Sequence, residues 1–275
     1  MLAASQSERP LKPLNFHEVD DLGFAAASVR LDATNLPAGY AATTLGPLLE
    51  LLHLAENQAF EDPVAGGWLS LNGAATLVNA IRSRRDSWIC PNTRRLGFLR
   101  AVRQRSDRDE QRTSFLMDAK RAAREIAGLP GDSPGQLVGA LGELESNIHE
   151  HSESAETGLL AFRAATGVFE FVVADSGIGV LASLQSSASF VSHNDHGKAL
   201  QMCLTEGTSR FGEGANRGYG FRPLFIGLMN LQGYLRFRSG DHALILDGRS
   251  PQLGMARLEQ KPFLNGFFAS VSVTI

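Results

Sequence analysis

TGLLAFRAATGVFEFVVADSGIGV, residues 157–180, carries the strongest local signal in the chain. Leu159–Ala164 and Val168–Ala174 read as two strands, with Ala165-Thr166-Gly167 as the turn between them. In the second strand Phe169, Phe171 and Val173 alternate with Glu170, Val172 and Ala174, which is the two-residue period of a sheet. That strand runs directly into Asp175-Ser176-Gly177-Ile178-Gly179. A buried strand holds a carboxylate rigidly, and glycines let the backbone come close to a flat or phosphorylated ligand. A carboxylate also accepts a hydrogen bond from an exocyclic amine such as that of adenine. The competing reading is an ordinary Asp-Ser-Gly turn after a strand.

Immediately upstream lies GELESNIHEHS, residues 142–152. The break LPGDSP precedes it, with Ser133 as the expected helix cap and Pro134 in the first turn. Leu137, Leu141, Leu144 and Ile148 then form one apolar stripe. Glu143, Asn147 and His151 form a second stripe roughly 80° away at the helical rotation per residue. An acid and an amide bordering a core can hold a metal ion or a polarised water; the alternative is a partly solvated polar flank. His149 and His151 have only Glu150 beside them and no cysteine pair, so a zinc site is disfavoured.

Downstream, residues 181–218 are rich in small and polar types, with one helix candidate at Lys198–Glu206. A connection this long reads as a functional lid with few apolar anchors. Its end carries Gly212, Gly214, Gly218 and Gly220, and then a helix pattern with Pro223 near its start and Gly233 as its stop. A glycine-rich turn feeding a helix N-terminus binds anions, because free N–H groups and the helix dipole face the ligand.

The order of these pieces resembles the GHKL superfamily, the ATP-binding fold of histidine kinases, anti-sigma-factor kinases, type II topoisomerases, mismatch-repair ATPases and a class of chaperones. ELESNIHEHS is similar to that family's N box, DSGIG to its first glycine box and RGYGF to its second. GYLRFRSGD, HALILD and GFFASVSVTI are similar to its closing strands, with Ala269, Val271, Val273 and Ile275 on one face of the last. The resemblance covers residues 110–275. It implies an α/β sandwich of the Bergerat type: a mixed, mainly antiparallel sheet covered by helices on one face. It also implies ATP and Mg²⁺ as ligands. Asn147 would bind the Mg²⁺, Glu143 would be the general base, and Asp175 would accept the adenine amine. Gly177 and Gly179 would let the chain pass the nucleotide closely, and Thr208 would lie near the base. Gly218 and Gly220 would cradle phosphates, with Lys198 and Arg210 as further phosphate contacts. His151 would be a hydrogen-bond partner beneath the site.

The rest of the sequence bounds these expectations. With 43% hydrophobic residues the chain can bury a core, and a net charge of −3 gives no reason to expect nucleic acid. Cys90 and Cys203 make no disulfide framework, no run is long enough for a membrane span, and the N-terminus lacks a signal-peptide core, so a cytoplasmic protein is expected. Residues 1–109 read as a smaller α/β region, with FAAASVRL and GWLSL as short apolar runs and LGPLLELLHLAENQAF and AATLVNAIRSR as helices. Nine arginines fall between Arg82 and Arg108; they form either a phosphate- or partner-facing patch or a solvated face paired with local acids. The helix SFLMDAKRAAREIAG follows, with Phe115, Ala119, Ala122 and Ile126 on one face and Gly128 as its stop.

His17-Glu18 lacks a helical heptad setting, and His149-Glu150 lies inside the nucleotide site that the resemblance implies, so an autophosphorylating receptor is not expected. The expectation is a signalling ATPase or protein kinase acting on a protein partner or phosphoacceptor, with a homodimer allowed. An ATP-gated switch and a non-catalytic nucleotide-binding module are the alternatives.

Overall fold

The computed structural model describes residues 11–36, 39–57, 60–101, 106–188, 190–203, 227–228, 231–248 and 256–275. The chain divides into two compact units, Met1–Ala75 and Thr76–Ile275. In the first, β1 (Leu11–Leu14), α1 (Phe16–Ala26), β2 (Gly39–Ala42), α2 (Leu45–Asn57) and β3 (Leu69–Ser70) alternate, and the strands pair in parallel in the order β1-β2-β3. Asn15 caps α1 by accepting the Glu18 N–H at 3.0 Å. FAAASVRL does not form a strand: its alanines finish α1, as their helix preference dictates, and Leu31 makes only an isolated bridge to Phe60. GWLSL supplies β3.

The helix α3 (Ala75–Arg82) is followed by β4 (Ser87–Ile89), β5 (Leu96–Ala101), α4 (Ser106–Arg121) and α5 (Ser133–His151). Then come β6 (Gly158–Ala165), β7 (Val168–Asp175), α6 (Gly179–Gln185), α7 (His196–Met202), β8 (Tyr234–Asp247) and β9 (Arg257–Thr274). The sheet order is β4-β5-β6-β7-β9-β8, and each of these pairings is antiparallel rather than mixed. β4 and β5, which lie ahead of residue 110, pair into this sheet through β6. The two closing segments at 233–247 form one long strand, β8, with a register break around Gly240.

Helices α4 and α5 cover one face of the sheet. Phe115, Ala119, Leu137, Leu141, Leu144 and Ile148 pack on Leu160, Phe162, Phe171, Val173, Phe237 and Val271. Each large side chain removed from water here contributes about 1.5–3 kcal/mol. The opposite face is buried too, with Phe98, Ala161, Val172 and Phe268 at 0% exposure. Ala269, Val271 and Val273 lie in the core as the alternation requires, whereas Ile275, beyond the end of β9, is exposed.

Two local expectations need correction. Ser133 is the first residue of α5 and not its cap; Asp132 holds that place without a side-chain cap bond. The chain turns through Gly131 at φ +56°, so the helix begins one residue early, with Pro134 still in its first turn. Residues 181–203 are not a sparsely anchored lid, because α6 and α7 bury Leu181, Leu184 and Ala199 against each other and Leu200 in the main core. The remainder of the expected lid, 204–218, lies outside the described residues. Among the described residues no helix is long and apolar enough to cross a membrane.

Candidate functional site

Asp175 is the last residue of β7 and pairs with Phe267 on β9, which pairs in turn with Ser239 on β8. Strand alternation puts this row on the helix-covered face with Phe171, Val173, Phe237 and Ala269. The Asp175 side chain is therefore held at the end of the sheet on its packed face, 1% exposed. Its Oδ1 accepts the Gly177 N–H at 2.7 Å. Its Oδ2 is buried and has no hydrogen-bond partner among the described residues. Burial pushes this carboxyl up to about 7, and the Gly177 N–H opposes the shift only in part. A carboxyl with one oxygen satisfied and the other orphaned in a dry site lacks a donor.

The loop after Asp175 is docked on the end of α5. The Ile178 N–H donates to the Ser152 carbonyl at 3.0 Å, and the Ser176 N–H donates to Thr157 Oγ1 at 3.0 Å. At Gly177 a Cβ would collide with the Ser152 carbonyl, so no other residue fits. Gly179 has φ +76°, and a Cβ there would stand 2.7 Å from Ser239 Oγ. The close approaches these two glycines permit in the structure are thus to the protein's own Ser152 and Ser239.

Helix α5 answers why so many polar residues crowd one segment, because it has two working flanks. On one flank Glu143 is exposed while Asn147 and His151 are half-buried. His151 Nδ1 lies 3.2 Å from the Oγ of Ser183, a buried residue of α6, so this flank is brought to the helix that follows the Asp175 loop. On the other flank the buried Glu145 accepts from Arg112 Nε of α4 at 2.6 Å. There a cleft of about 320 Å³ opens between α4, α5 and β5, lined by Arg100, Asp109, Arg112, Glu145, His149 and Glu150 among others. Of the arginine run, Arg94 pairs with Asp118 at 2.9 Å and Arg100 donates to the Ile81 carbonyl, so these two serve the fold.

Lys198 is exposed on α7, whose first turn is capped by Asp195 accepting the Lys198 N–H at 2.9 Å. Thr208, Arg210, Gly218 and Gly220 lie outside the described residues. Among the described residues no group of three or more His, Cys, Asp or Glu is placed to hold a metal ion. A metal here would need ligands of another kind, such as the Asn147 amide together with oxygens of a bound substrate.

A scan of family models and searches of curated proteins and of solved structures all found nothing similar to this chain. The residues themselves carry the functional reading.

The structure adds residues around α5 and the Asp175 loop that the sequence patterns show faintly or not at all. Ser183 and the Arg112–Glu145 pair depend on helix packing that no local spacing encodes. Ser239 left a trace: it follows Leu235 and Phe237 on the inward face of β8, and a hydroxyl at the end of an apolar stripe needs a polar partner.

Proposed function

We propose that the unit Thr76–Ile275, which includes β4 and β5 as well as residues 110–275, forms a Bergerat-type nucleotide-binding domain of the GHKL kind, which binds Mg-ATP and hydrolyses it or transfers its phosphate to a protein partner. The observation that carries this reading is the orphaned, buried Oδ2 of Asp175 beside Gly177 and Gly179. Adenine presents an exocyclic amine, and that amine is the donor such an oxygen lacks. The contact between this loop and the end of α5 supports the reading further, because it joins the segments bearing Asp175 and Asn147.

In this proposal Asp175 recognises the base, and the Asn147 carboxamide would hold a Mg²⁺, which would supply neutralisation of phosphate charge. Glu143, exposed on the same flank of α5, orients the attacking water or hydroxyl. Lys198, Arg210, Gly218 and Gly220 serve the phosphates, and Thr208 the base. The parallel α/β unit ahead of the domain is the candidate for partner recognition. Calorimetric titration of the full chain with ATP, with and without Mg²⁺, tests the proposal. Saturable, Mg²⁺-dependent binding is expected, and no heat and no thermal shift at millimolar Mg-ATP would refute it.

A further inference from the structure

Beyond the groups that would meet a nucleotide, the end of the sheet contains a buried hydroxyl linking three segments. Ser239 is 1% exposed. Its Oγ accepts the Val180 N–H, in the first turn of α6, at 2.9 Å. The same Oγ donates to the Gly266 carbonyl of β9 at 2.7 Å. Gly266, at φ +69°, lies against Asp175 so closely that a Cβ there would collide with the Asp175 carbonyl and stand 2.6 Å from Oδ1. Val180, Ser239, Gly266 and Asp175 therefore form a continuous chain of contacts across α6, β8, β9 and β7. The ladder between β8 and β9 breaks register directly after Ser239, so regular sheet pairing stops fixing the backbone where this hydroxyl takes over.

We infer that Ser239 is a positioning residue: its hydroxyl ties the Val180 end of the Asp175–Val180 loop to Gly266, which abuts Asp175, and thereby sets the direction in which the Asp175 carboxyl meets an adenine amine. The inference rests on the nucleotide reading for its ligand, while the clamp itself stands on the geometry alone. The hydroxyl donates its one hydrogen and accepts one N–H, so Ser239→Ala strands a backbone donor and a backbone acceptor together. The loop then has one fewer hydrogen bond on the α6 side, where Leu181 still packs on α7 and Ser183 still meets His151.

A residue that only stabilises the fold would, on substitution, weaken every nucleotide alike. A residue that aims Asp175 changes base discrimination. The experiment compares Mg-ATP with Mg-ITP, whose base carries a carbonyl in place of the amine, on the full chain, with Ser239→Ala and the shape-preserving Ser239→Cys. In the wild type ATP is expected to bind at least ~10-fold tighter than ITP, the scale of a charge-assisted hydrogen bond. In Ser239→Ala that ratio should collapse to within about twofold through loss of ATP affinity, with Ser239→Cys between the two. An unchanged ratio overturns the positioning role. Hydrogen exchange at the Val180 amide, without ligand, provides the second arm. Faster exchange by ~10-fold or more in either variant upholds the clamp, and unchanged exchange overturns it. Should the wild type bind neither nucleotide, the nucleotide reading falls and the exchange arm still decides whether Ser239 fixes the loop.

Discussion

Replacing Asp175 with asparagine should yield a protein that is more stable at alkaline pH and poorer at binding ATP. The carboxyl titrates near 3.8 when solvated and at about 7 in the fold, because burial disfavours its charge. A difference of roughly three units at 1.36 kcal/mol per unit is about 4 kcal/mol. The sign follows from proton uptake. Between the two values the folded state holds the proton and the unfolded state has lost it, so wild-type stability falls as pH rises from 3.8 to about 7 and stays low above that. Asparagine keeps the shape and can still accept the Gly177 N–H, yet has no charge to desolvate. Its advantage should approach the full amount at pH 8 and shrink to below about 1 kcal/mol at pH 4. For a unit of this size that corresponds to ~10 °C in melting temperature at pH 8. Differential scanning calorimetry of both proteins at pH 4, 6 and 8 measures it. Equal or lower stability of the variant at pH 8 would refute the reasoning, since it would mean the carboxylate is well solvated or paired. The same substitution should weaken Mg-ATP binding by about 1.5–3 kcal/mol, the worth of a charge-assisted hydrogen bond. Wild-type ATP affinity should also rise with pH through about 7, because an amine donor favours the ionised form.

Glu143→Gln should leave nucleotide affinity within a few fold and cut turnover by roughly 10²-fold or more, the usual worth of a general base; equal phosphate release in the two proteins would assign the domain to binding alone. Arg112→Ala leaves the buried carboxylate of Glu145 without its 2.6 Å partner and should cost about 3 kcal/mol in urea unfolding, whereas Arg112→Met with Glu145→Leu should recover most of that. A single variant no less stable than wild type would show that the pair contributes nothing.

How legible each part was in the sequence depends on the range of the contacts that make it. The β6–β7 hairpin was readable because its period, its turn at Gly167 and its apolar residues all lie within one short window. The inner face of α5 was readable for the same reason. The placement of β4 and β5 was not: Arg94, Arg95 and Arg100 surround the short apolar stretch Leu96–Leu99, and the charge hid a strand whose partner, β6, lies some sixty residues away. The anchoring of α6 and α7 was missed because Leu181, Leu184 and Ala199 are too widely spaced to form a visible stripe and meet only after the chain has folded back. At the site, Asp175 and its glycines stood out as a motif. Ser239 did not, because its partners at Val180 and Gly266 come to it through the pairing of β8 with β9.

That pairing also governs the order in which the sheet can assemble. β9, the last of the described strands in chain order, is an interior strand, seated between β7 and β8. Until residues up to Thr274 have emerged, β7 presents Phe169, Phe171, Val172 and Val173 along an unpaired edge, and β8 has no described strand to pair with. An open apolar edge of this kind templates association between chains. The ladder that closes it joins residues about a hundred positions apart, a separation that slows folding. Until that ladder forms, the apolar strand β7 lacks one of its two partners, and expression should depend on chaperone capacity more than the finished fold would suggest.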